Sequence, residues 1–177
     1  MNLPSHLYKV AAPRSDMTFS PRSFWHTEDW ESSTDRPRKG YLEDAVLFAG
    51  DFAEVSIHLF PRVRTVRVST GDADCAFLSK LGLRCSPGRV AYIFVAHTHR
   101  CTVEAFHPTI FQFDARGFVR VRRGEYVSWA PQKAIAVETI SMGEALSRWN
   151  VEACYVEDLD DLIATLSAAT IYFEEQT

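Results

Sequence analysis

The apolar residues of this chain come in short runs, and those runs follow one another in no regular helix–strand alternation. Segments 45–49 (Ala-Val-Leu-Phe-Ala) and 90–96 (Val-Ala-Tyr-Ile-Phe-Val-Ala) are continuous and of strand length, with turn residues close by, the pattern of a buried strand. Strands are predicted at 6–11, 41–49, 63–69, 90–96, 110–114, 118–122, 134–139 and 151–156. Ala115-Arg116-Gly117 reads as the loop of a hairpin joining 110–114 to 118–122. Helical spacing of apolar residues predicts helices at 52–60, 73–81, 141–149 and 158–168. Three of these carry capping signals: Asp51 with Glu54, Ser141 with Glu144, and Asp158. About eight strands and about four or five short helices in this order do not build a doubly wound parallel sheet; they predict an α+β fold with a bent, mostly antiparallel sheet.

A chain of 177 residues has the size of one ordinary domain, and a single domain spanning 1–177 is expected. Its least regular stretch is 13–40, which holds Pro13, Pro21 and Pro37 and a highly charged segment from 28 to 39. It reads as a long loop, mobile at 28–39 and bordering the functional cleft, with a short helix around 24–30. Ser86-Pro87-Gly88 reads as a turn.

No apolar run approaches the roughly 18 residues of a membrane helix, and the first ten residues lack the basic-then-apolar pattern of a secretory signal. A cytoplasmic protein is expected, although a secretion route that needs no such signal is compatible with the sequence. The four cysteines, Cys75, Cys85, Cys101 and Cys154, form no C-x-x-C pair and are read as free thiols. The net charge of −4 is unevenly spread. Residues 124–177 hold ten acids and two bases, a net of −8, which leaves +4 on residues 1–123. An acidic chain is a poor candidate for nucleic-acid binding. The arginines at 62, 64 and 67 and at 116, 120, 122 and 123 suit a phosphate or pyrophosphate.

Most familiar catalytic signatures are missing. The sequence has no G-x-S-x-G, no G-x4-G-K-[ST] and no G-x-G-x-x-G. His107-Pro108-Thr109 matches one H-x-T element where phosphoesterase chemistry needs two. His97-Thr98-His99 would put two imidazoles on one face if it lay on a strand. With Glu104 it suggests a small metal-dependent enzyme as one alternative. No metal is expected under the main reading. The other constellation is Gly124-Glu125-Tyr126-Val127-Ser128-Trp129, directly after an arginine-rich strand. A glycine at 124 permits a bulge, which would turn Glu125 to the face of Arg120 and Arg122.

The order of the segments resembles that of small bacterial proteins of the ADP-ribosyltransferase-like superfamily. Leu7-Tyr8-Lys9-Val10 opens the series. Val46-Leu47-Phe48-Ala49-Gly50-Asp51 leads into a helix, and Gly124-Glu125-Tyr126-Val127-Ser128 comes late, before the strand near 135–140. The resemblance spans roughly residues 6–140 and implies a split, bent sheet whose cleft binds NAD. It implies that Lys9 contacts the adenosine ribose and that Tyr8 or Tyr126 packs on the nicotinamide. Glu125 would hold the nicotinamide ribose as the glycosidic bond breaks, and Arg120 and Arg122 would hold the pyrophosphate. Two departures stand out. Lys9 occupies a position where His or Arg is expected, and the middle S-T-S triplet is reduced to Ser69-Thr70-Gly71. The implied function is NAD binding with transfer of ADP-ribose to a macromolecule. The alternative is a non-catalytic module of the same fold that engages a protein partner.

Overall fold

A computed structural model of the protein describes residues 4–22, 25–26, 40–41, 46–51, 54–69, 75–82, 89–122 and 124–176. In chain order the first elements are β1 (His6–Val10), β2 (Thr18–Phe19), β3 (Trp25–His26), β4 (Gly40–Tyr41) and β5 (Leu47–Gly50). A 3-10 helix (Glu54–Leu59), β6 (Thr65–Ser69), α1 (Cys75–Lys80), β7 (Ala91–Ala96), a 3-10 turn (His97–His99) and α2 (Arg100–Glu104) follow. Next come β8 (Thr109–Asp114), a 3-10 turn (Ala115–Gly117), β9 (Val119–Arg122), β10 (Glu125–Ser128), β11 (Gln132–Lys133) and β12 (Ala136–Thr139). The chain continues through α3 (Met142–Trp149), β13 (Val151–Val156), α4 (Leu159–Ala168) and β14 (Glu174–Gln176). The fold is α+β, and β13 on β7 is the one parallel pairing among the described strands.

The chain gathers into two compact units, each built from two separate stretches of sequence. The first comprises Met1–Val55 and Thr109–Thr139. It holds an antiparallel six-stranded sheet in the order β12-β8-β1-β5-β10-β9, with the two-stranded ladders β11-β2 and β3-β4. The second comprises Ser56–Pro108 and Ile140–Thr177 and holds the sheet β13-β7-β6-β14 with α1 to α4.

The six-stranded sheet has to curl. β8 and β9 stand four strand spacings apart, about 19 Å in a flat sheet. The run from Asp114 to Val119 that joins them reaches at most about 18 Å even fully extended. It is in fact folded back, with the Phe118 N–H donating to the Ala115 carbonyl at 3.0 Å. The edges of the sheet therefore approach each other. Ala115 and Phe118 of this connection join Leu7, Phe19, Leu47, Ala49, Phe111, Phe113, Tyr126 and Ala134 in one buried cluster, which places the main core inside the curl. Full burial of each large apolar side chain there contributes about 1.5–3 kcal/mol. Val46, Val121 and Val127 form a smaller cluster with Phe48 against it.

This connection overturns the predicted hairpin. Segments 109–114 and 119–122 are both strands, but β8 pairs with β1 and β12 while β9 pairs with β10. Alternation of apolar residues identifies a strand, not its partner. Other expectations need smaller corrections. Trp25–His26, inside the predicted helix near 24–30, is a strand paired with Gly40–Tyr41. Thr18–Phe19, read as loop, pairs with β11. The segment after Asp51 is a 3-10 rather than an α-helix. The turn at 86–88 and the charged segment 28–39 lie outside the described residues.

In the second unit β7 is buried on both faces, with Tyr92 and Phe94 packed on Val66, Val68, Leu78, Cys154 and the α4 leucines 159, 162 and 166. Both late helices start where the capping residues predict. Ser141 Oγ accepts from the Glu144 N–H at 3.2 Å, and Asp158 Oδ1 from the N–H groups of Asp160 and Asp161 at 2.8 and 3.1 Å. α3 ends at Asn150, which takes the left-handed conformation (φ 52°) that asparagine tolerates as a helix terminator. No helix among the described residues is long and apolar enough to cross a membrane.

Candidate functional site

The chemistry-bearing residues of the first unit gather where β5 ends. The apolar strand Leu47–Gly50 stops at Gly50, and Asp51 turns the chain into the 3-10 helix. Asp51 Oδ1 accepts the Glu54 N–H at 3.0 Å, and the Asp51 carbonyl accepts the Val55 N–H at 3.1 Å. The Asp51 N–H donates to the Gly124 carbonyl at 2.7 Å, fastening this turn to the start of β10. Gly124 has φ +79°, and a Cβ there would lie 3.0 Å from Glu54 Cβ and 3.2 Å from Asp51 Oδ1. At Gly50 a Cβ would lie 3.1 Å from Glu54 Cβ. The two glycines thus make the seat on which Glu54 rests.

Strand register then fixes which residues share a face. Tyr8 of β1 is opposite Gly50, Gly50 is opposite Glu125 of β10, and Glu125 is opposite Arg122 of β9. Directly paired residues project their side chains to the same side of a sheet. Tyr8 and Glu125 therefore stand on one face, two strand spacings or about 10 Å apart, with Gly50 between them and the Glu54 stem lying over that glycine. Glu125 is half-buried, and its Oε2 is fully buried.

Lys9 and Tyr126 follow Tyr8 and Glu125 along their strands and so occupy the opposite face, the one that carries the main core. The Lys9 Nζ donates to the Phe48 carbonyl at 3.2 Å. It does so where the sheet splits: among the described residues β1 and β5 share the single pair Tyr8–Gly50. Burial lowers the pKa of the Lys9 ammonium, and the neighbouring Arg22 lowers it further. Tyr126 is buried at 5% exposure. Burial and then the Asp51 charge push its phenol up, while Arg120 pulls it down.

The bulge expected at Gly124 is not where the register shifts; the irregularity lies on the partner strand β9. The β9–β10 register shifts between Glu125 and Tyr126, so that Arg122 pairs with Glu125 and Arg120 with Tyr126. The extra residue is Val121, whose side chain is buried in the small valine cluster. The two arginines are thus in register with successive residues of β10 that face opposite ways, and the expected common face for Arg120, Arg122 and Glu125 is not formed. The structure unites Tyr8, Glu125 and the backbone of Arg122 in one row and groups Lys9, Tyr126 and Arg120 on the other side.

Glu54 and Asp51 are the site residues that the sequence reading missed as chemistry. Their spacing was visible as a capping signal, and the hydrogen bond confirms that role. Nothing local indicates that the Glu54 stem also lies against Gly50 and Gly124.

His97 and His99 belong to the second unit and do not lie on a strand. β7 ends at Ala96, and the two histidines form a 3-10 turn, His97 exposed and His99 half-buried. The period-two argument for a shared face lapses there. Glu104 is engaged by Arg100 at 2.8 Å within α2. Among the described residues no group of His, Cys, Asp or Glu is arranged to hold a metal ion. Comparison of the chain with family models, curated proteins and solved structures gives no match.

Proposed function

We propose that this chain is an ADP-ribosyltransferase-like protein that binds NAD and transfers its ADP-ribose to a macromolecule. The observation that carries this reading is the row Tyr8–Gly50–Glu125 at the split between β1 and β5. It offers an aromatic ring and a carboxylate on one face, on either side of the Glu54 stem seated over Gly50. In this reading the nicotinamide ring packs on Tyr8 and the Glu125 carboxylate sits at the ribose. As the bond from the ribose carbon to nicotinamide breaks, its electron pair leaves with nicotinamide and positive charge develops on the sugar. A carboxylate fixed nearby stabilises that charge electrostatically. Glu54 brings a second carboxylate to the same strand end, suited to the ribose hydroxyls. Arg122, in register with Glu125, is the arginine we assign to the pyrophosphate. Lys9 and Tyr126 are assigned to shaping the site from behind. Lys9 ties the two strands at the split through the Phe48 carbonyl rather than touching the ribose.

The test is NAD turnover, as glycohydrolase or transferase, by wild type and Glu125→Gln at matched folded fraction. Removing one positioned electrostatic contact costs about 3–4 kcal/mol of barrier, or roughly a hundredfold or more in rate. Equal non-zero rates would remove Glu125 from the chemistry.

A second reading, a non-catalytic module that engages a protein partner, draws support from the sheet edge at β12. All four β12 residues are exposed, Ile135 and Val137 are 55% and 44% exposed, and β12 is the outermost strand of its sheet. An outermost strand of this kind is a template for strand addition. Absence of NAD turnover and of NAD-induced stabilisation, with a partner retained on the folded chain through β12, would favour this reading.

A further inference from the structure

The strand β14 is held on β6 by a charge pattern more specific than a three-residue strand requires. Glu174 is directly opposite Arg67, Glu175 opposite Val66 and Gln176 opposite Thr65. Successive carboxylates therefore leave the strand on opposite faces. On one face Arg67, only 5% exposed, donates through Nη2 to Glu174 and through Nη1 to Ser56 Oγ at 3.4 Å. On the other, Arg64 donates to Glu175 at 2.7 Å and to Asp160 of α4 at 2.6 Å. A strand displaced by one residue would present both acids to the wrong faces, so the edge of β6 reads charge and register together. Ile171 and Phe173, just before β14, add apolar contacts to the core of the unit.

The edge cannot stand empty at low cost. Without β14 the buried Arg67 would lose the Glu174 carboxylate, and removing one partner of a buried ion pair is strongly destabilising. The connection that delivers the strand is itself strained. Thr170 sits at φ 57°, a left-handed conformation that a β-branched residue rarely adopts. The N–H groups of Thr170 and Ile171 close the end of α4 on Ser167 and Leu166 at 3.1 and 3.0 Å. Opening this turn relieves the strain at Thr170 and frees residues 171–176 as an extended acidic segment.

We propose that the edge of β6 is a docking groove for this acidic strand in trans: two copies of the chain exchange their 171–176 segments and form a reciprocal dimer. The occupant is fixed by complementarity, since a second copy supplies the same two apolar residues and the same two carboxylates in the same register. Exchange of an identical element is a low-cost route to a dimer, because it makes no contact that the monomer lacks except at the hinge.

The test uses two full-length charge-reversed variants, Arg64→Glu and Glu175→Arg. The side chains of this pair are 39% and 34% exposed, so both variants should fold. Each alone places like charges across the groove, whether the strand is its own or that of an identical copy. Only a mixed dimer with both strands exchanged restores two opposite-charge pairs. An equimolar mixture, warmed below its unfolding transition and cooled, should give a species of doubled mass holding one copy of each variant by native mass spectrometry. Neither variant alone should give it. A mixture that stays monomeric while both variants are folded by circular dichroism would overturn the proposal. If either variant does not fold, full-length Glu175→Gln and a labelled peptide of residues 170–177 replace the pair. The weakened internal strand should then let the peptide bind about tenfold more tightly than to wild type. Equal binding, or none, would equally overturn it.

Discussion

A methyl group added at Gly124 would meet Glu54 Cβ at 3.0 Å and Asp51 Oδ1 at 3.2 Å, on a backbone held at φ +79°. Both the conformation and the contact penalise a side chain there, and Gly124→Ala should destabilise the protein by about 1–3 kcal/mol in urea unfolding. A variant as stable as wild type would mean that Glu54 does not rest on this glycine. Lys9 makes a different prediction. Its folded pKa lies below 10.5 because burial, and then Arg22, disfavour the ammonium. The folded chain thus binds this proton less tightly than the unfolded chain does. The contribution of Lys9 to stability is lowest below the depressed pKa and rises with pH until 10.5, where the unfolded chain also releases the proton. Lys9→Met lacks that rise. The stability of wild type minus that of the variant should increase from neutral pH toward 10.5, and the opposing titration of Tyr126 cancels in the difference. A difference that does not move with pH would show that Lys9 is not desolvated. At this scale the sequence displayed the residues and hid their sides. Tyr8 and Lys9 enter only through the family resemblance, and Glu125 and Tyr126 through it and through their place after an arginine-rich strand. Which pair shares a face depends on the register of three strands distant in sequence.

The helices α3 and α4 and the strand β13 lie almost where the sequence predicts them, because their signals are local. Ser141 and Asp158 cap their own helices, and no distant residue has to agree. The strands β8 and β9 show the opposite case. Each was legible, yet pairing them as a hairpin failed, because the connection Ala115–Gly117 buries Ala115 in the main core and carries the chain across the curl. A local pattern cannot distinguish a loop that turns back from one that bridges. The cysteines of the second unit test the element placement. Cys154 lies on β13 in the core beneath α4, where burial pushes its thiol up to about 12. Cys101 lies exposed on α2. Thiolate is the reactive form, so alkylation of the native protein at neutral pH should label Cys101 readily and Cys154 only after denaturant is added, as read by peptide mass mapping. Equal labelling of the two in the native state would contradict the packing of α4 over β13.

The two units are interleaved along the chain: the stretch 56–108 of the second lies between the two stretches of the first, and 109–139 of the first lies between the two stretches of the second. The parallel pairing of β13 on β7 joins residues on either side of that second insertion, Val151 opposite Ala91 through Val156 opposite Ala96. No shift of composition marks these crossings, since both units draw on the same short strands and turns. The structure nonetheless shows where the insertion can be removed. Pro108 and Ile140, which flank it and both belong to the second unit, are joined by a hydrogen bond from the Ile140 N–H to the Pro108 carbonyl at 3.2 Å. A short glycine linker between them would close the gap without stretching either end. A chain of residues 56–108 linked to 140–177 keeps the whole β13-β7-β6-β14 sheet, all four α-helices and the cluster from Val66 to Leu166. It should fold with dispersed amide resonances and a cooperative thermal transition. The contiguous fragment 56–108 should not, because it lacks β13, β14, α3 and α4 and leaves the Tyr92 and Phe94 face of β7 and Arg67 without their cover from 140–177. Cooperative folding of 56–108 alone would show that the parallel pairing is dispensable. Failure of the linked chain to fold would show that the second unit depends on the first.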